Sequence, residues 1–85
     1  MKHYKIIYTY FNRGIMEEEE TMLGGLSLPD ALANVRQMAY LDCYEDFAIR
    51  QVYAETEDGT AWQKVQDWAG IEYRHERYLK RETKT

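Results

Sequence analysis

The chain is poor in sulfur chemistry: one cysteine, Cys43, stands among 85 residues. A lone thiol closes no internal disulfide, and small secreted domains normally rely on several, so a reducing, cytoplasmic setting is expected. Long apolar runs are missing as well. No stretch approaches the roughly 20 apolar residues that a membrane helix needs. From Met1 to Phe11 the chain interleaves Lys2, Lys5 and other polar positions where a secretory signal would place an apolar core, which again points to the cytoplasm and away from a membrane. Basic residues are scarce in the middle. Between Gly14 and Asp58 only Arg36 and Arg50 face eleven acids, a balance of −9.

What is present is a globular composition, 45% hydrophobic and 31% charged, with eight tyrosines and two tryptophans. Large aromatic side chains help a short chain, which buries only about 60–65% of its unfolded surface, to assemble a core. We expect a single domain over residues 1–85, with a frayed tail from about 82 to 85. No internal repeat or low-complexity linker divides it.

Residues 3–11 read as a strand, with Tyr4, Ile6, Tyr8 and Tyr10 on one face and His3, Lys5, Ile7, Thr9 and Phe11 on the other. Asn12-Arg13-Gly14 supplies turn chemistry, and a second strand over about Ile15 to Leu23 completes a hairpin. Glu17 and Glu19 of that strand point one way, Glu18 and Glu20 the other. Such a strand suits a sheet edge, where charge discourages pairing with other chains; the alternative is an acidic strip that binds a basic partner.

After Gly24-Gly25, Ser27-Leu28-Pro29-Asp30 is a helix start. Serine caps, Asp30 stands three residues on, and proline is tolerated in the first turn. A helix is expected from Leu28 to Leu41, with Leu28, Ala31, Leu32, Val35, Met38 and Ala39 as its buried stripe. Phe47 to Thr56 reads as a third strand, with Phe47, Ile49 and Tyr53 opposite Ala48, Val52 and Ala54. Asp58-Gly59 then turns the chain into a returning strand, Thr60 to Gln66, with Trp62 inward. Thr60-Ala61-Trp62-Gln63 also fits a helix start, so strand and helix both remain open there. Ile71 to Arg81 reads as a short terminal helix, with an alternating strand as the second choice. The fold class is α+β: an antiparallel sheet of three to four strands in ββαββ order, one main helix upon it, and a short C-terminal helix.

No catalytic constellation emerges. Cys43 lies among Asp42, Tyr44, Glu45 and Asp46, which oppose thiolate formation. His3 and His75 stand 72 positions apart without metal-ligand spacing. Consecutive glutamates on an extended strand do not converge on one cation, and Gly24-Gly25 lacks the lysine of a phosphate loop. No enzyme activity, metal or cofactor is expected.

The hairpin, the helix start carried by Ser27, Leu28, Asp30, Ala31 and Leu32, and the returning strand resemble the ββαβ folds of HicB-type antitoxins. The glycine- and proline-containing second-strand motif of that family is replaced here by the glutamate run. The resemblance implies a regulatory, nucleic-acid-linked role.

Two functional expectations follow from charge. The first is a small acidic protein-binding module that docks on a basic surface through Glu17, Glu18, Glu19, Glu20, Glu45 and Asp46. One version is a phage or mobile-element inhibitor that covers the nucleic-acid channel of a nuclease or an RNA-guided CRISPR effector. The second is a nucleic-acid-binding or antitoxin-like domain using the aromatic first strand for stacking and the basic residues Arg74, Arg77, Lys80 and Arg81 for phosphate contact. A homodimer through an exposed strand or a tyrosine-rich face is a third reading.

Overall fold

A computed structural model describes residues 2–82, with side chains described as far as Arg77. The chain forms β1 (His3–Asn12), β2 (Ile15–Gly24), α1 (Leu28–Leu41), β3 (Glu45–Glu55), β4 (Trp62–Lys64) and α2 (Trp68–Glu82). The strands make one antiparallel sheet in the order β2-β1-β3-β4, so β1 is bonded on both sides and β2 is an edge. This is the expected α+β fold. No helix among the described residues is long and apolar enough to cross a membrane. Residues 83–85 of the expected frayed tail lie outside the described residues, and Glu82 belongs to α2.

The hairpin β1–β2 turns on Arg13 and Gly14, with φ of 56° and 81°. Two left-handed residues between facing Asn12 and Ile15 make the two-residue turn whose twist matches the strands. The alternation anticipated for β1 holds. Tyr4, Ile6, Tyr8 and Tyr10 are buried beneath α1, whose Leu28, Ala31, Leu32, Val35 and Ala39 face them. Ser27 caps α1 by accepting from the Asp30 N–H at 3.3 Å.

Helix α1 ends with Cys43 in the left-handed region, φ 56°. The Tyr44 N–H bonds back to the Ala39 carbonyl and the Cys43 N–H to the Tyr40 carbonyl, a pairing that usually employs glycine at the left-handed position. A Cβ there costs about 1 kcal/mol. Cys43 is exposed, so little packing is lost with it. Cys43→Gly is therefore expected to raise stability by about 0.5–1 kcal/mol, some of the relief being offset by glycine's freedom in the unfolded chain. Urea denaturation checks this, and an unchanged or lowered midpoint would refute it.

Strand β3 departs from the sequence reading. Ile49 and Val52, placed on opposite faces by alternation, are both buried in the core. Tyr8 faces Ile49 while Ile7 faces Gln51, so Arg50 is an extra residue without a partner on β1. Such a bulge inverts the alternation beyond it. Phe47, Ile49, Val52 and Ala54 consequently line the core, and Tyr53 points to the other face. A second shift lies at Asp46, φ 50°. Arg50 reaches across the outer face and donates to Thr9 Oγ1 at 2.8 Å.

The segment after the Asp58-Gly59 turn is a strand, which settles the alternative helix start in the strand's favour, though only Trp62–Lys64 pairs. The sequence places Trp62 inward. Instead it lies on the outer face, because it faces Glu55, which shares Tyr53's side of the sheet; it is 38% exposed, with Lys5 Nζ 5.2 Å from its ring and 5.1 Å from that of Tyr53. Asp58 holds the turn by accepting from the Thr56 hydroxyl and from the Thr60 N–H and hydroxyl. These bonds draw its carboxyl down to about 2.

Helix α2 starts three residues earlier than Ile71. Asp67 precedes it, and the Asp67 carboxylate lies where a Cβ on Gly70 would stand. Gly70, which reads in sequence as a break, thus accommodates the side chain at the helix start. Trp68 and Ile71 pack against the core, and Arg36 of α1 donates two hydrogen bonds to Glu72 at 2.6 and 2.8 Å. That fork fixes α2 against α1.

A candidate docking edge on strand β2

Residues of both helices pack on one face of the sheet, and among the described residues no helix or strand covers the other. The register assigns each glutamate of β2 to a face. Glu19 lies opposite Tyr8 and Glu17 opposite Tyr10, on the helix side; Glu18 lies opposite Thr9 and Glu20 opposite Ile7, on the outer side. The division read from sequence is correct. Its consequence is that the acidic strip is two half-strips with different surroundings.

Glu19 is committed to the fold. Its two carboxylate oxygens accept from the hydroxyls of Tyr8 at 3.0 Å and Tyr10 at 2.9 Å. Both rings are buried, at 3% and 4% exposure, beside Tyr44 and Phe47. Tyr10 and Tyr44 stack face to face with centroids 3.8 Å apart. Burial first, and the Glu19 carboxylate second, push the Tyr8 phenol up to about 12. Burial first, then the neighbouring Glu17 and Glu19 carboxylates, pushes Tyr10 up as well. Nothing in the spacing of a glutamate run marks its third member as the acceptor for two phenols; the only available signal is the two-residue turn, which sets Tyr8 opposite Glu19.

Glu18 and Glu20 are exposed, and among the described residues neither takes a side-chain hydrogen bond or an ion pair. On the same face of β2 they lie between Met16 and Met22, which are 52% and 63% exposed. Glu45 lies opposite Phe11 on the far side of β1 from β2, and Asp46 sits in the second bulge; both are exposed but neither adjoins Glu18 or Glu20 in the pairing. The six acids do not form one continuous strip.

The basic candidates lie on α2. Arg74 bonds Asp67 at 3.2 Å, and the Arg77 guanidinium lies 5.8 Å from the Tyr73 ring centre. Lys80 and Arg81 fall within the same helix, but their side chains lie outside the described residues. Tyr4, Tyr8 and Tyr10 are sheet core and are not available to stack with bases. Of the aromatic residues of β1 expected to stack with bases, Phe11, on the outer face and partly exposed, is the one that stays outside the core.

Among the described residues no three His, Cys, Asp or Glu side chains gather as a metal site. His3 bonds Glu55 at 2.6 Å through Nδ1, and His75 is half-buried on α2. No protein family matches the chain, and no curated protein or solved structure matches it. The HicB-type resemblance therefore rests on the residues of the helix start alone.

Proposed function

We propose that the protein is a small non-catalytic binding module that presents the acidic edge of its sheet to a basic surface of a partner protein. The observation supporting this reading is the pair Glu18 and Glu20, exposed on an edge strand and engaged by no internal cation among the described residues. Complementary charge accelerates encounter and selects partners. One form of such a module is an inhibitor, of the kind phages and mobile elements deploy, that lays carboxylates in the nucleic-acid channel of a host nuclease or CRISPR effector where phosphates would lie. A nucleic-acid-binding role keeps Phe11 of β1 and the basic residues of α2, Arg74, Arg77, Lys80 and Arg81, in its support.

The test is capture of partners from a host lysate by the wild type and by the Glu18→Lys/Glu20→Lys variant, at low and moderate salt. A partner retained by the wild type is expected to bind the variant at least about tenfold more weakly and to be released by salt. For the inhibitor form, the retained partner should also lose a labelled oligonucleotide as the protein is added. Equal retention of every partner by both proteins would overturn the acidic-docking reading.

A further inference from the structure

An acidic edge strand has backbone groups to offer as well as carboxylates. A two-residue turn makes Asn12 and Ile15 a hydrogen-bonded pair, and such pairs recur at every second position of an antiparallel ladder. Residues 15, 17, 19, 21 and 23 of β2 therefore direct their backbone groups to β1. Met16, Glu18, Glu20 and Met22 direct theirs away from the sheet, and among the described residues β2 has no strand on that side. These four residues also share the outer face, so outward backbone groups and exposed side chains come from the same positions. In chain order they read apolar, acidic, acidic, apolar.

From this juxtaposition, and resting on the acidic-docking reading above, we propose that β2 receives an extended peptide segment of a partner as a fifth strand, the segment carrying lysine or arginine at two alternate positions flanked two residues away by apolar side chains. The backbone of such a strand pairs with the free edge. Its two cations lie across from Glu18 and Glu20, and its apolar residues pack on Met16 and Met22. The pattern is symmetric, so either strand direction fits it.

Charge also states what the edge refuses. Pairing β2 antiparallel with a second copy of itself, outward residues to outward residues about Glu19, sets Glu18 of each copy against Glu20 of the other, and like charges directly opposite destabilise a ladder. The edge is closed to its own copy and open to a basic strand.

The probe is a capped heptapeptide, Val-Thr-Lys-Thr-Lys-Thr-Val, with a control in which both lysines are glutamate. Amide hydrogen exchange of the full-length protein reads the outcome residue by residue. The lysine peptide is expected to slow exchange at Glu18 and Glu20, with Met16 and Met22 following, by at least tenfold, while the control leaves them unchanged. Met22→Pro deletes one outward N–H and keeps every glutamate, in a place where an edge strand tolerates proline; it is expected to weaken the peptide at least tenfold. Retained amide signals of β1 and α1 show that this variant is folded, and exchange on the wild type stands if it is not. Peptide binding without added protection at those amides would overturn strand addition and leave acidic docking standing. Absence of binding at low salt would overturn strand addition, whereas the acidic-docking reading fails only by the capture experiment. Concentration-dependent protection of the same amides without peptide would make a second copy the occupant and overturn the proposal.

Discussion

Glu19→Ala is expected to destabilise the protein markedly, while Glu18→Ala, one residue away, leaves stability within about 0.5 kcal/mol of the wild type. The contrast lies in what each carboxylate touches. Glu19 accepts from both Tyr8 and Tyr10, and a buried hydroxyl deprived of its acceptor costs about 1–3 kcal/mol. The Tyr8 hydroxyl alone accounts for that amount, and Tyr10 adds to it. Glu18 stands in solvent on the opposite face. The same cluster governs alkaline stability. Unfolded tyrosines ionise near 10, whereas the folded Tyr8 holds its proton to about 12. The unfolded chain therefore binds fewer protons than the folded one across that interval, and stability that is complete below pH 10 is lost as pH rises towards 12. Glu19→Gln, which keeps an acceptor oxygen and removes the negative charge, should lower the phenol titration followed by tyrosinate absorbance. Equal urea midpoints for the Glu18 and Glu19 alanine variants would sink this assignment.

Leu32→Ala is expected to cost about 3 kcal/mol, among the largest losses that truncating one side chain of this small core can cause. Leu32 is fully buried where α1 meets the tyrosine face of β1. Removing its branch loses the transfer energy of the methyls and leaves a cavity that a packed neighbourhood fills only in part. A domain of this length has a total stability of about 4–13 kcal/mol. The loss is then roughly a quarter of the total or more, and at about 4–8 °C per kcal/mol it lowers Tm by about 12–24 °C. Leu41→Ala, nine positions along the same helix but 67% exposed, should change stability by about 0.5 kcal/mol or less. Thermal unfolding followed by far-UV circular dichroism compares the two. Similar losses for both would mean that α1 does not bury the face described.

Much of the architecture is legible in the residues. The hairpin follows from alternation in β1 and from Asn12-Arg13-Gly14. Helix α1 follows from Ser27 and a stripe that matches the buried set, Met38 being only partly covered. Strand β3 resists the same reading because alternation assumes an unbroken ladder, and the extra residue at Arg50 carries no local signature that distinguishes it from its neighbours. Trp62 escapes it for a related reason: with Val52 and Ala54 in the core, Glu55 and the residue opposite it belong to the outer face. The early start of α2 hides behind Gly70, whose missing Cβ admits the Asp67 side chain. On the candidate edge, the facing of the four glutamates is readable from period two, but their division of labour is not. Only the cross-strand register shows that Glu19 belongs to two tyrosines and that Glu45 and Asp46 stand apart.

The two borders of the sheet are unequal, ten residues at β2 and three at β4, and this has a bearing on stoichiometry. A chain with two equally long open borders can add subunits at both and propagate into a filament. Here β4 offers a ladder of only three residues, short beside the roughly five to six of a typical strand. Growth is confined to one side, and β2 repels its own copy there. If β2 takes a fifth strand as proposed, the expected product is a discrete one-to-one complex that ends after one addition.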